Sequence, residues 1–307
     1  MMRPDRSGFV ETPTRLPRAD VYSQQMLSPT QTEQWQRDGY VVLPGFKSRA
    51  ELDEAIARAQ TIVEVFEPDA GTSRFSTKDR GLVADAALLA SADQVHCFFE
   101  EEALDEAGRL RVPKAQSINK IGHALHDRDA LFQRFSHGPA LAQLAAALGL
   151  VQPQVWQSQI IFKQPHIGGE VGWHQDASFF VTTPQTVTTF WFALEDATLD
   201  NGCLWVQPGG HEGPLREQYV CDHAGGGKLR MVALDTAPWP TTAGAVALPV
   251  AAGTLVAFHG LLPHYSAPNR SPRSRLAYTL HVTCGTAAYA PQNWLQRGPE
   301  FPVRGLD

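Results

Sequence analysis

Residues 186–194, Thr186-Val187-Thr188-Thr189-Phe190-Trp191-Phe192-Ala193-Leu194, form a run of β-branched and aromatic residues. A turn cluster, Asp200-Asn201-Gly202, separates them from a second run, Cys203-Leu204-Trp205-Val206-Gln207, which Pro208-Gly209-Gly210 closes. Two short β-rich runs divided by turn residues, with no helix between them, read as strands of an all-β fold. The same texture extends both ways: Val155–Lys163 upstream, Gly253–His259 and Arg275–Thr283 downstream. Ile167-Gly168-Gly169 and Pro268-Asn269-Arg270-Ser271-Pro272 supply further turns. Strands spaced in this way predict a sandwich or barrel rather than βαβ units.

The N-terminal half reads differently. Ser28-Pro29-Thr30-Gln31 starts a helix, Pro being tolerated at its first position. Gly39-Tyr40-Val41-Val42-Leu43-Pro44-Gly45 is a short β-rich segment closed by its Pro-Gly turn. Residues 48–65 carry Leu52, Ala55, Ile56, Ala59, Ile62 and Val63 at three- and four-residue spacing, an amphipathic helix. Gly138 to Gly149 is a second, Ala- and Leu-rich helical stretch. The expected organisation is therefore a loose leader over 1–27 and one domain over 28–307, helical through 28–150 with the β core at about 151–290. The fold class is mainly β with N-terminal helices.

Composition bounds the function. The 307 residues are 43% hydrophobic and 19% charged, sufficient for a sizeable core. A net charge of -6 argues against nucleic-acid or anionic-membrane partners, because nothing would drive counterion release. No apolar run approaches the roughly 20 residues that span a bilayer. The first 20 residues have no apolar h-region of the signal-peptide kind. Four widely spaced cysteines (Cys97, Cys203, Cys221, Cys284) fit small buried hydrophobes in a reducing cytoplasm. No obligate protein partner is evident, and no heptad or apolar stripe gives the oligomeric state.

Chemistry concentrates in Gly172-Trp173-His174-Gln175-Asp176-Ala177. Residues two apart in an extended segment share a face, so His174 and Asp176 can direct an imidazole and a carboxylate to one point. Such a pair suits iron, zinc or manganese, although His-x-Asp alone is a weak signal that far more often marks a surface polar pair. A third ligand must come from Ala257–Ser266. His259 ends an apolar strand, as a hydrogen-bonded core histidine would; His264 follows Pro263 in a loop and is better placed to close a site. Two histidines and one carboxylate leave open metal positions, the arrangement of non-haem Fe(II) oxygenases. Arg270, Arg273 and Arg275 follow. Arg270 and Arg273 read as solvated turn residues. Arg275 shares its strand face with Ala277 and Thr279, and an inward guanidinium is costly unless a carboxylate meets it; a solvated position remains the other reading.

Trp173-His174-Gln175-Asp176, Asn201–His211 and His264-x-Ser266 with Arg275 together resemble the phytanoyl-CoA dioxygenase family. Ser117–His126, Phe162–Val171, His174–Phe179 and Pro291-x-Asn293-Trp294-Leu295 tighten the likeness to the subgroup of its domain-containing protein 1 sequences, over most of residues 29–297. The resemblance implies a double-stranded β-helix (a jelly roll, or cupin-like barrel) flanked by α-helices. It implies Fe(II), 2-oxoglutarate as cosubstrate, and O2. By that likeness His174, Asp176 and His264 hold iron, Arg275 and Ser266 bind the distal carboxylate of 2-oxoglutarate, and Lys120, Trp191 and Gln159 complete its pocket. The polar Gln159 departs from the apolar residue expected of relatives, as does Trp173 from their Pro. Halogenating relatives replace the metal-binding Asp; Asp176 is present, so hydroxylation of a small-molecule substrate is expected. That substrate could be an acyl-CoA, with Arg216, Lys228 and Arg230 available for phosphates, or another metabolite. Segments 68–90, Gly168-Gly169 and 212–250 are loop-like and could cover the mouth. The alternatives are a non-catalytic iron and 2-oxoglutarate sensor, and a Zn or Mn cupin-like enzyme in which Arg275 faces solvent.

Overall fold

A computed structural model describes residues 26–67, 74–75 and 86–307. The predicted leader falls outside these except for Met26 and Leu27, and so does most of 68–90. Leu27 is already buried in the core.

In chain order the strands are β1 (Tyr40–Leu43), β2 (Arg74–Phe75), β3 (Val95–Glu100), β4 (Ile118–His123), β5 (Pro153–Lys163) and β6 (Val171–His174). Then come β7 (Thr182–Thr183), β8 (Thr188–Ala193), β9 (Leu204–Val206), β10 (Glu217–Asp222) and β11 (Lys228–Ala233). The last are β12 (Val246–Leu248), β13 (Leu255–His259), β14 (His264–Ser266), β15 (Arg275–Cys284) and β16 (Ala288–Tyr289). One sheet has eight strands in the order β1-β13-β8-β15-β5-β4-β3-β2; a second has four, β12-β9-β14-β6. Trp191, Ala193, Val256, Phe258 and Ala277 of the large sheet pack on Leu204, Val206 and Leu248 of the small one. The molecule is thus mainly β, with two facing sheets. The described strands keep the two sheets as separate ladders, so the expected closed barrel is not what the hydrogen bonds form.

The helices are α1 (Pro29–Asp38), α2 (Arg49–Val65), α3 (Ala86–Ala90), α4 (Leu125–Arg128), α5 (Ala130–Ser136) and α6 (Pro139–Ala147). They cover the outer face of the large sheet, except α3, whose Leu88 faces the cavity side. Ser28 and Ser48 cap α1 and α2 with reciprocal side-chain bonds from Gln31 and Glu51. The α2 stripe Leu52, Ala55, Ala59, Ile62 and Val63 is buried as its periodicity requires. It joins Phe132 and Phe135 of α5, Leu141 and Leu144 of α6, and the outward-facing Phe190, Phe192, Leu276, Tyr278 and Leu280 in one core.

Residues 28–150 are not the helical segment expected, because β3 and β4 extend the large sheet past β5. β4, Ile118-Asn119-Lys120-Ile121-Gly122-His123, is too polar to look like a strand, yet pairing with β3 and β5 buries most of it. Segment 212–250 is also more than a loop, since β10 and β11 form a hairpin in register from Glu217↔Ala233 to Asp222↔Lys228. All four cysteines are buried and free. Among the described residues no helix is long and apolar enough to cross a membrane.

Candidate active site

A cavity of about 530 Å3 opens between the sheets. His174 ends β6 and sits directly across from His264 of β14 in the strand register. Asp176 is not on the same strand as His174; it opens a 3-10 turn, Asp176–Ser178, just beyond the strand end. The change of direction brings its carboxylate beneath both imidazoles. Asp176 Oδ1 lies 3.5 Å from His174 Nε2 and 3.7 Å from His264 Nε2. Ligand atoms of these three residues all lie within 4.8 Å of one another, and they are the metal-competent group found among the described residues.

Proton positions in this group are set by the backbone. His174 Nδ1 faces the Gly172 carbonyl at 2.8 Å, and His264 Nδ1 faces the Leu262 carbonyl at 3.0 Å. A carbonyl only accepts, so in each neutral ring Nδ1 keeps the proton and Nε2 carries a lone pair. Burial holds His264 down at about 4, so that ring is neutral near pH 7. Burial works against ionisation of Asp176, but the imidazoles, His264 and His281 foremost, outweigh it and hold the carboxyl well below its usual range. Two lone pairs and a carboxylate oxygen that converge without a proton between them repel until a cation joins them. A divalent transition metal fits this donor set.

His259, the other candidate third ligand, lies elsewhere. Its Nδ1 accepts the Leu261 N–H at 3.1 Å, and its ring packs near Trp35 and His211. It is the hydrogen-bonded core histidine.

Of the two positions left open for Arg275, the structure takes the inward one: it is 2% exposed and lines the cavity. Its Nε donates to the Gly202 carbonyl at 3.1 Å and its Nη2 to Ser266 Oγ at 3.3 Å. Ser266 gives its own proton to the same carbonyl at 2.9 Å, so it can only accept from Arg275. The Gly202 backbone has φ +86, and a Cβ there would meet the Ala267 carbonyl at 2.7 Å; only glycine turns this carbonyl onto both donors. Nη1 of Arg275 is buried without a partner. An orphaned cationic donor in a cavity fits an anionic ligand. Burial lowers the guanidinium to about 10. Trp191 stands 5.6 Å from it and pairs with Thr279 in register. Lys120 Nζ donates to Gln159 Oε1 at 3.4 Å, Gln159 Nε2 donates to Gln157 Oε1 at 2.6 Å, and burial brings Lys120 down to about 7.

Several residues in the site escaped sequence reasoning. Thr189 Oγ1 donates to Asp176 Oδ2 at 2.5 Å, and His281 Nε2 lies 3.4 Å from the same oxygen. Phe98, Phe179, Phe180, Tyr219 and Trp294 also line the cavity. Lys163 is buried, with its ammonium held by the carbonyls of Gly169, Ser266 and Ala267. Of the residues suggested for phosphates, Arg216 is committed to the Pro238 carbonyl at 2.7 Å, and Lys228 and Arg230 are exposed. Arg270 pairs with Glu102 at the surface, as a turn residue should. Trp173 stacks on Tyr265.

Two facing, mainly antiparallel sheets with a His-Asp-His group and a buried arginine in the cleft define a β-sandwich with a candidate metal site. The family model "Phytanoyl-CoA dioxygenase (PhyH)" matches residues 35–277, and the chain belongs to that family. It is 43% identical over 288 residues to the Bos taurus protein named phytanoyl-CoA dioxygenase domain-containing protein 1, covering 91% of this chain and 98% of the relative. It is 40% identical over 273 residues to an Arabidopsis thaliana phytanoyl-CoA dioxygenase, covering 88% and 94%. Among solved structures, the epimerase SnoN in complex with Fe3+, alpha ketoglutarate and nogalamycin RO is similar in fold. Its TM-score is 0.60 at 18% identity, over 89% of this chain and 97% of that one.

Proposed function

We propose that the chain is a non-haem Fe(II)- and 2-oxoglutarate-dependent dioxygenase that hydroxylates a C–H bond of a small molecule, releasing succinate and carbon dioxide. The two sheets then act as the halves of a double-stranded β-helix. The observation that carries the reading is the pairing, in one cavity, of the His174–Asp176–His264 group with the open donor of buried Arg275. Membership of the family supports it, as does the fold shared with SnoN, a protein solved in complex with Fe3+ and alpha ketoglutarate.

His174, Asp176 and His264 would hold the iron, which when bound supplies O2 activation coupled to oxidative decarboxylation of 2-oxoglutarate. The remaining work belongs to the chain. The Gly172 and Leu262 carbonyls keep both Nε2 lone pairs turned inward. Arg275 and Ser266 would take the distal carboxylate, with Lys120, Gln159 and Trp191 around the rest of the cosubstrate. Lys120 has a proton to gain as an anion arrives, since burial alone has brought it near neutrality. Phe98, Phe179, Phe180 and Trp294 exclude water on the side left for the substrate. An acyl-CoA is one candidate substrate and an uncharged metabolite another. The buried free cysteines suit a cytoplasmic enzyme.

The test is iron-dependent succinate formation from 2-oxoglutarate in air, with the Asp176→Ala protein as control. Succinate that requires both iron and Asp176 supports the dioxygenase. A protein that binds iron and 2-oxoglutarate but yields no succinate with any candidate substrate would be a sensor of the same fold.

A further inference from the structure

The two oxygens of Asp176 live in different surroundings. Oδ1 faces the Nε2 atoms of His174 and His264. Oδ2 is turned the other way, onto the large sheet. There it accepts the Thr189 hydroxyl at 2.5 Å and lies 3.4 Å from His281 Nε2. Thr189 and His281 are direct cross-strand partners on β8 and β15, so the sheet register itself brings both donors under one carboxylate oxygen. All three residues are buried, so solvent does not compete for that oxygen.

The His281 ring is further constrained. Phe180, four residues after Asp176, stacks on it at 4.8 Å and 24°. With Nε2 turned to Asp176, Nδ1 is left buried and without a partner. Burying a polar atom unpaired is costly, and an apolar residue of similar shape at this position would avoid that cost. Among the described residues, the one polar contact of the ring is thus the one that Nε2 makes with Asp176.

We propose that Thr189 and His281 clamp the second oxygen of Asp176, so that the carboxylate offers a metal one oxygen only and leaves the cavity-facing positions to a chelating cosubstrate. This rests on the dioxygenase reading and adds positioning residues to it. A carboxylate freed at Oδ2 can turn both oxygens to the metal and occupy a position that the two donor atoms of 2-oxoglutarate need. Thr189 and His281 touch neither substrate nor cosubstrate in this scheme; they act through Asp176.

The test is an anaerobic titration of Fe(II)-loaded protein with 2-oxoglutarate, followed by the visible charge-transfer band. Thr189→Val removes the hydroxyl while keeping the β-branched shape that suits a strand. It is expected to retain stoichiometric iron but to weaken 2-oxoglutarate binding by about tenfold or more, the usual size of an outer-shell effect. Thr189→Ser restores the hydroxyl and returns the affinity to the wild-type value, which a merely structural role for the methyl group would not do. His281→Phe, which keeps the stack on Phe180, shifts the affinity in the same direction as Thr189→Val. If Thr189→Val does not fold, the Ser and Phe variants decide the matter alone. A Val or Phe variant that titrates like wild type, or a Ser variant as weak as Val, overturns the clamp and leaves the dioxygenase reading intact. A wild-type protein that binds iron but shows no band overturns that reading, and the clamp with it.

Discussion

Replacing Arg275 with methionine separates what this residue does for the fold from what it does for a ligand. Burial lowers its guanidinium from the usual 12.5 to about 10. That corresponds to ~3 kcal/mol of unfavourable charge burial in the ligand-free protein. Against this stand two long hydrogen bonds, 3.1 Å to Gly202 and 3.3 Å to Ser266. At the lower end for charged donors they contribute about 1.5 kcal/mol each, so the two sides nearly offset. The Met variant should therefore unfold within about 1–2 kcal/mol of wild type in urea. Ligand binding has no such compensation. Loss of a two-point contact between guanidinium and carboxylate removes ~3–6 kcal/mol, or about two to four decades in the 2-oxoglutarate dissociation constant. Calorimetry with the Fe(II)-loaded, oxygen-free protein reads this directly, and iron stoichiometry should not change. A Met variant that binds 2-oxoglutarate as tightly as wild type would refute the carboxylate assignment. One that loses stability in proportion would make Arg275 a structural residue.

If Lys120 faces the cosubstrate as proposed, the affinity should depend on pH. Its ammonium, lowered to about 7 by burial, favours an anion only when protonated. Above pH 7 binding must take up a proton, so the dissociation constant should rise by up to about tenfold per pH unit, and Lys120→Met should flatten that slope. A slope unchanged in the Met variant would remove Lys120 from the pocket. His264→Ala should abolish stoichiometric metal binding. His259→Ala should keep it and lose about 1–3 kcal/mol of stability, because the Leu261 N–H is left unpaired; reversed behaviour would exchange the two histidines. Ser48→Ala removes half of the capping box on α2 and should cost ~1 kcal/mol in a urea midpoint, a loss absent if α2 is held by packing alone.

The strands that carry the site were legible because they are short, β-branched and aromatic, and punctuated by turns. Alternation in Arg275–Thr283 separated the two faces, and the structure turns Arg275 to the cavity while Leu276, Tyr278 and Leu280 face the helices. β3 and β4 were not legible. Asn119, Lys120 and His123 mask a strand whose polar side chains find partners in Glu100, Gln159 and Ser91. His174 and Asp176 were paired for a partly mistaken reason. Same-face alternation suggested one continuous strand, whereas a strand end followed by a turn produces the convergence. Thr189 and His281 lie 92 positions apart and meet Asp176 only through strand register, for which no local pattern gives a signal. His281 nevertheless shared the inward alternation of Arg275 and Thr279, which was the one available hint.

The most direct measurement is the visible spectrum of the anaerobic protein with Fe(II) alone, with 2-oxoglutarate alone, and with both. The weak metal-to-ligand charge-transfer band should appear only with both, in wild type, and be lost in Asp176→Ala. A well-folded, iron-loaded wild-type protein that shows no band at saturating 2-oxoglutarate would contradict the assignment of this cavity.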